Sequence, residues 1–315
     1  MPAYKPADRP TMYFIGVTTA KSSINRVFPL WAKALGLGEC QLRGIDFKLH
    51  DEPARYREAV DFIKRDRQSL GALVTTHKMD LFEACREQFD EIEPLSAAMG
   101  EVSSIYKRDG RLLGRACDPW SVGLSLDAFL PDKHWQTTRT EALILGAGGS
   151  AIALAWHLGR PEHGANRPSR ILVANRSRPR LDHLRELSRS WAHGIPLDCH
   201  EVPRADMADG LLKDLPPGSL VVNATGLGKD APGSPLTDRA IFPKNGLVWE
   251  FNYRGDLLFL QHARNQEKIR RLLIEDGWIY FIHGWTRVIS DVFAVDIPTR
   301  GPRFDELSLI ARTNR

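Results

Sequence analysis

Ala142-Leu143-Ile144-Leu145-Gly146-Ala147-Gly148-Gly149-Ser150-Ala151 is the stretch that decides the fold. An apolar run of strand character enters a glycine turn, and a helical pattern follows over Ser150–Leu158. Gly146-x-Gly148-x-x-Ala151 has a physical reading at each position. Gly146 permits the tight turn, Gly148 lets a backbone approach a pyrophosphate, and Ala151 allows close helix–strand packing. A helix starting near Ser150 presents free N–H groups and its positive dipole end to phosphate. Gly146, Ala147, Gly148, Gly149, Ser150 and Ala151 are therefore the candidate dinucleotide cradle. A turn that serves only tight packing is the plainer reading of the same residues.

The next expected strand, Ile171–Ala174, selects the dinucleotide. A site for NAD usually ends this strand with a carboxylate that bonds the ribose 2′-hydroxyl. Here the run is Asn175-Arg176-Ser177-Arg178-Pro179-Arg180. A guanidinium pairs with a 2′-phosphate that a carboxylate would repel, so the expected cofactor is NADP. Arg176 is the first choice for the phosphate, with Asn175, Ser177 and Arg180 in support. A merely solvated arginine cluster is disfavoured, because cations at a helix N-terminus oppose its dipole unless an anion is present. After the strand Ser219–Asn223, the loop Asn223-Ala224-Thr225-Gly226-Leu227-Gly228 lies where open α/β sheets bind ligands. Asn223, Thr225 and Gly226 are expected at the nicotinamide ribose.

Outward from this core, short apolar runs alternate with amphipathic stretches, the pattern of an α/β protein. Tyr13–Val17, Cys40–Phe47 and Ala72–Thr75 read as strands, and Asn25–Leu35, Pro53–Arg65 and Asp80–Phe89 as helices. Gly246–Asn252 reads as the closing strand and Tyr280–Phe293 as a C-terminal helix. The polar stretch 133–140 reads as a linker. At 315 residues the chain exceeds the usual size of a single core. The expectation is a substrate domain over 1–130 and a doubly wound Rossmann domain over 131–279, with a helical segment 280–315 returning to the first. The cleft between the domains is the expected site.

Lys+Arg 43 against Asp+Glu 39 leaves a net charge of +4, too small and too scattered for nucleic acid as the main partner. Cys40, Cys85, Cys117 and Cys199 form no C-x-x-C pair, so neither a disulfide framework nor a zinc knuckle is expected. No apolar leader and no run of about 18 apolar residues is present, so a cytoplasmic protein with no membrane partner is expected. It is expected as a monomer or homodimer acting on a small molecule, without a metal.

With the three loops in order, the chain resembles the shikimate/quinate dehydrogenase family. Val74-Thr75-Thr76-His77-Lys78 is similar to that family's V-T-x-P-x-K, one residue shorter and without the proline. Gly114-Arg115-Ala116-Cys117-Asp118 resembles its G-x-N-T-D, and Glu250-Phe251-Asn252-Tyr253 its D-x-x-Y. The resemblance runs from about Tyr13 to Val295. It implies that Lys78 and Asp118 are catalytic, with the formal base left open because a coupled pair titrates as a unit. It also implies NADP(H)-linked interconversion of a secondary alcohol and a ketone on a shikimate-like ring, in aromatic amino acid biosynthesis. Desolvation of the lysine is expected to draw its pKa toward working pH.

Several positions depart from the family pattern. Its S-x-S-P-x-x-H-N becomes Thr18-Thr19-Ala20-Lys21-Ser22-Ser23-Ile24-Asn25. Thr18 aligns with one of the serines, or Ser22 and Ser23 serve instead; Ser23 is also a candidate helix cap. G-A-V-N-T becomes Gly100-Glu101-Val102-Ser103-Ser104, replacing a substrate-reading Asn with Ser103. D-G-x-x-M-L-x-x-Q becomes Asp276–Gly284, where His283 is the nearest polar neighbour of the lost Gln. Thr18, Ser22, Ser23, Ser103, Tyr253 and His283 are the candidate substrate residues. Tyr253 reads equally as a packing tyrosine and His283 as a core histidine. Trp120, Trp278 and Trp285 are expected to fill cleft and core. A quinate, aminoshikimate or cyclitol substrate, a folate-type dehydrogenase, and a non-catalytic ligand sensor remain the alternatives.

Overall fold

The structure is a computed structural model that describes residues 4–191, 194–229 and 231–314. The chain divides into two units, residues 1–118 with 282–315, and residues 119–281. Its α/β character and the Rossmann arrangement of the second unit agree with the sequence reading.

The first unit begins β1 (Thr11–Gly16), α1 (Ile24–Leu35), β2 (Gln41–Asp46), α2 (Pro53–Arg65), β3 (Ser69–Val74) and α3 (Lys78–Cys85). It continues β4 (Glu91–Ile92), α4 (Pro94–Met99), β5 (Ser104–Arg108) and β6 (Arg111–Arg115). The sheet order is β2-β1-β3-β5-β6-β4. β1 lies parallel to β2 and β3, and β5 runs antiparallel to both β3 and β6. β3 and β6 therefore point the same way, so their ends and the entrance of β5 share one edge of the sheet. Ile15, Val74, Ile105, Val60 and Ile63 are fully enclosed in this unit's core.

The second unit carries α5 (Asp118–Phe129), which starts on the last residue of the first unit, then α6 (His134–Thr138), β7 (Ala142–Leu145), α7 (Gly149–Gly159) and β8 (Ile171–Asn175). α8 (Arg178–Ser188), β9 (Leu197–Glu201), α9 (Ala205–Lys213), β10 (Leu220–Asn223), β11 (Leu247–Glu250), α10 (Leu258–Arg270) and β12 (Leu273–Glu275) follow. All strands of the order β12-β11-β10-β7-β8-β9 are parallel. That is the doubly wound order, and it reverses between β7 and β10, where such sheets open a ligand crevice. α11 (Trp278–Phe293) leads out of this unit, and α12 (Pro302–Thr313) is the last element.

Some readings need correction. The stretch 133–140 is not a free linker: it holds α6, with His134 and Trp135 buried and the His134 ring bonded to the Gly218 carbonyl at 2.9 Å. The chain passes between units at Asp118, before the expected change at 130. The expected C-terminal helical segment is two helices, broken after Phe293 where Ala294 takes a left-handed φ of 56°. Trp120 is largely exposed, whereas Trp278 and Trp285 are buried. Residues 1–3 and Arg315, at the ends of the expected segments, and 192, 193 and 230 lie outside the described residues.

Candidate active site

Lys78 and Asp118 meet at the shared edge of the first sheet, since Lys78 opens α3 after β3 and Asp118 opens α5 after β6. The Lys78 ammonium donates to Asp118 Oδ2, and only 13% and 8% of the two side chains remain exposed. Burial pulls the Lys78 ammonium down, but Asp118 and Glu101 beside it more than reverse that, so its pKa stands above the ordinary lysine value. The expected fall toward working pH is therefore not what the neighbours produce; two carboxyl groups outweigh desolvation.

The approach to Lys78 accounts for the residue missing from the V-T-x-P-x-K pattern. Thr76 takes φ of 42°, a region costly for a β-branched residue, and His77 N–H closes back on the Thr75 carbonyl. A tight turn thus replaces the longer loop. His77 is buried, with Nδ1 3.1 Å from the Tyr56 hydroxyl and its ring edge-on to Phe47. Burial lowers its pKa. It packs the turn rather than facing solvent.

The expected substrate residues fare unequally. Ser22 and Ser23 are buried and Thr18 is exposed. Ser23 forms no capping bond. The clamp on this loop is Asn25, whose amide donates to the carbonyls of Thr19, Ala20 and Ser22 at 2.9–3.2 Å. Asp46 accepts from Thr19 N–H at 2.9 Å and ties the loop to β2. The Ser103 hydroxyl accepts from Cys117 N–H at 2.6 Å, so it holds the turn that presents Asp118. His283 is buried, stacks on Phe304 at 4.5 Å, and is pushed down to about 4 by burial. Those features make it a neutral core histidine. Tyr253 is half-buried between Phe281, at 4.5 Å, and Trp278, at 5.8 Å, with the Lys229 ammonium 5.8 Å from its ring.

In the second unit the glycine turn sits at the strand-order reversal. Gly146 has φ of 118°, and a Cβ there would come 2.7 Å from the Ala224 carbonyl oxygen. Only glycine lets the β7 and β10 exits approach this closely. Gly148 precedes the first turn of α7, and nothing lies within 4 Å of where its Cβ would stand. Ala147 and Ala151 are buried, Gly149 begins α7, and Ser150 Oγ receives the Tyr280 hydroxyl at 3.0 Å. The bare backbone of the glycine turn and the positive end of α7 suit a pyrophosphate.

Arg176 is exposed and makes no hydrogen bond or ion pair with the described residues. Arg178 is instead engaged by Asp182 at 3.2 Å and Glu201 at 3.7 Å. Asn175 Nδ2 reaches the Ser177 carbonyl at 3.2 Å, Ser177 enters α8 without a side-chain cap, and Arg180 is part-buried. The donor set thus fits a phosphorylated ribose: a guanidinium free to pair, and no carboxylate over 171–180 to repel it.

The Asn223 side chain does a different task from the one expected. It is buried, donates to Glu250 Oε2 at 2.8 Å, and accepts from Thr225 N–H and Oγ1 at 3.0 and 2.7 Å. Asn252 donates to the carbonyls of Thr225 and Leu227, both at 3.1 Å, while its own N–H meets Glu250 Oε1 at 2.8 Å. Glu250 and Asn252 therefore shape the loop that carries Gly226. Burial pushes the Glu250 carboxyl up to about 7. Sequence spacing marked Glu250 only through its place in the D-x-x-Y resemblance. Among the described residues no group of His, Cys, Asp and Glu could hold a metal ion, and no helix is long and apolar enough to cross a membrane.

Comparison with known proteins bears on what this geometry serves. No family model matches the chain. It is 31% identical over 239 residues to the shikimate dehydrogenase (NADP(+)) of Symbiobacterium thermophilum, covering 73% of this chain and 72% of the relative. It is similar in structure to the shikimate 5-dehydrogenase of Thermus thermophilus in complex with NADP(H) and shikimate. That match has a TM-score of 0.67 at 23% identity, over 97% of this chain and 99% of the other. The quinate dehydrogenase of Corynebacterium glutamicum in complex with NAD matches with a TM-score of 0.69 at 18% identity, over 98% and 100% of the two chains. At such identities the likeness establishes the fold.

Proposed function

The chain belongs to the shikimate dehydrogenase family and is an NADP-dependent oxidoreductase acting on CH–OH groups, and from that premise we propose that it interconverts ketone and alcohol on a shikimate-like cyclic polyhydroxy carboxylate through Lys78 and Asp118. The observation that carries this reading is the buried Lys78–Asp118 pair at the shared strand ends of the first sheet. Bound NADP(H) supplies the hydride exchange. The work left to the protein is to hold the reacting oxygen and move one proton.

A protonated Lys78 donates a hydrogen bond to a carbonyl oxygen and stabilises the charge that builds on it during reduction. Asp118 fixes the direction of the ammonium through their hydrogen bond and balances its charge. In the oxidising direction the alcohol proton passes to the same pair. Thr18, Ser22 and Ser23, on the loop held by Asn25 and Asp46, are proposed to bond the substrate carboxylate. Ser103 and His283 are dropped from the proposed substrate set, because the Ser103 hydroxyl accepts the Cys117 amide and the His283 ring stacks flat on Phe304. With those positions not reading substrate hydroxyls, we expect a preference that differs from shikimate itself, since a hydrogen bond to a substrate hydroxyl is what makes such sites selective.

Arg176 is proposed to pair with the cofactor 2′-phosphate, and Gly146–Ala151 to receive the pyrophosphate. The intact Lys–Asp pair favours an enzyme over a ligand sensor on this fold. We further propose a cytoplasmic setting. An NADP⁺-coupled screen of shikimate, quinate, amino-shikimate and cyclitols tests the activity. Lack of turnover with all of them would overturn the substrate class, and full activity in Lys78→Ala would overturn the catalytic role.

A further inference from the structure

Glu101 is a buried acid that the pair's own chemistry does not require, and the resembled pattern has alanine at its place. It stands just before β5, whose entrance lies between the exits of β3 and β6. The main chain there is fastened on every side. Val74 N–H donates to the Ser103 carbonyl at 2.9 Å, Ser103 N–H to the Arg115 carbonyl at 2.9 Å, and Val102 N–H to the Lys78 carbonyl at 3.2 Å. Glu101 N–H itself donates to the Ser96 carbonyl at 3.1 Å. The side chain is 1% exposed, and both carboxyl oxygens are enclosed without a hydrogen-bond partner among the described residues.

A carboxyl buried for stability alone is normally hydrogen-bonded, and an apolar side chain of equal size would fill this space at lower cost. The charges acting on Glu101 are Lys78 from α3 and Asp118 from α5. The Cys117 thiol, whose own pKa burial pushes up, acts on Lys78, while Ser96 of α4 carries no charge. Lys78 and Asp118 already balance, so an ionised Glu101 would leave the buried cluster with a net negative charge. Burial and Asp118 push the Glu101 carboxyl up to about 8, with Lys78 opposing them.

We propose that Glu101 is a positioning residue acting through Lys78: protonated, it leaves a balanced Lys78–Asp118 pair that gives a proton to the ketone; ionised, it adds a second anion that lets the cluster keep the proton the alcohol loses. The inference rests on the activity proposed above. In reduction the substrate carbon takes hydride from bound NADPH and the oxygen takes a proton from the Lys78 ammonium, which solvent recharges. In oxidation hydride leaves to NADP⁺ and the alcohol proton ends on the cluster, then in solvent. Glu101 forms no bond to substrate; it changes how many protons the cluster holds.

Two variants test this in the full-length enzyme: Glu101→Gln keeps the shape, and Glu101→Met is apolar and of similar length. As pH rises through about 8, wild-type kcat should fall for ketone reduction and rise for alcohol oxidation. Both variants should lose that transition while KM changes by less than about twofold. Coincident pH profiles in wild type and folded variants would overturn the proposal, as would an effect confined to KM. The thermal midpoint against pH needs no substrate and so separates this inference from the activity reading. The folded-state pKa of Glu101 is raised from 4.5, so wild type should lose stability relative to Glu101→Met as pH rises toward 8. Parallel stability curves would overturn the proposal. So would a Glu101→Met protein that fails to fold, because the carboxyl would then be structural.

Discussion

Replacing Arg176 by alanine should separate the two nicotinamide cofactors. The guanidinium is exposed and makes no hydrogen bond or ion pair with the described residues, so folding stability should stay within about 0.5 kcal/mol of wild type. Its loss should be felt only when a 2′-phosphate is present. A charge-assisted hydrogen bond is worth about 1.5–3 kcal/mol, and 1.4 kcal/mol is about tenfold, so kcat/KM for NADPH should fall roughly 10- to 150-fold. The value for NADH should change by less than about twofold, since no phosphate is there to pair. Arg176→Lys keeps the charge but not the fork and should fall between the two. Arg176→Asp repels the phosphate and offers an acceptor to a free 2′-hydroxyl, so it should invert the preference. Arg178→Ala should cost less, because that guanidinium is already committed to Asp182 and Glu201. Initial rates with both cofactors, with circular dichroism as the fold control, decide the matter. Equal losses with NADH and NADPH, or no loss with NADPH, would refute the assignment.

Gly146→Ala should lower stability by about 2–5 kcal/mol and weaken cofactor binding. Its Cβ would lie 2.7 and 2.8 Å from the backbone oxygen and carbon of Ala224, adding overpacking of ~1–3 kcal/mol to left-handed strain of ~1–2 kcal/mol; a melting curve that matches wild type would contradict this. His283 is held neutral, its pKa lowered from 6.5 to about 4, so the folded state resists protonation and stability drains away as pH falls from 6.5 toward 4. At about 1.4 kcal/mol per unit, His283→Phe, which preserves the stack on Phe304, should remove up to ~3 kcal/mol of that acid-side loss in urea titrations at several pH values; an unchanged slope would count against it. Asp118→Asn should cut turnover by about 10²-fold or more. Glu101 can ionise in its place, so the stability loss should stay below the ~3–5 kcal/mol typical of an orphaned buried charge, and adding Glu101→Gln should bring the full loss. Equal stability of single and double variants would argue against the shared cluster.

The second sheet was legible because its central strands carry their own signals. β7 is apolar throughout and β10 apolar up to Asn223, both are buried, and each leads into a loop with a glycine at positive φ, Gly146 and Gly228. The edge strands left no such trace. β9, Leu197-Asp198-Cys199-His200-Glu201, is half-exposed and mixed in polarity, and β12 spans only Leu273–Glu275. β5 and β6 escaped notice because an antiparallel pair half open to solvent needs no continuous apolar run. α6 hides in a polar stretch because its burial rests on His134 and Trp135 alone. In the first unit, Lys78 and Asp118 were readable from motif order. The duties of Ser103 and Asn223 were not, since each depends on which backbone amide or carboxylate the fold brings to it.

That contrast explains where proton handling can vary without disturbing the catalytic pair. Gly100–Ser104 is fastened to β3, β6 and α3 by main-chain hydrogen bonds that take no account of side-chain identity. Exchanging side chains on such a loop leaves the ends of β3 and β6, and with them Lys78 and Asp118, where they are. Of the departures from the resembled pattern on this loop, Glu101 and Ser103 act in separable ways. Glu101 alters the charge around Lys78, whereas Ser103 anchors the Cys117 amide at the entrance to Asp118. The cofactor loops belong to the other unit and have their own supports in Ala224, Glu250 and Asn252. Substitutions at 101 and 103 should therefore shift pH dependence and turnover while leaving the NADPH-over-NADH ratio unchanged. The Arg176 variants should do the reverse, and a variant set in which the two effects travelled together would contradict this division.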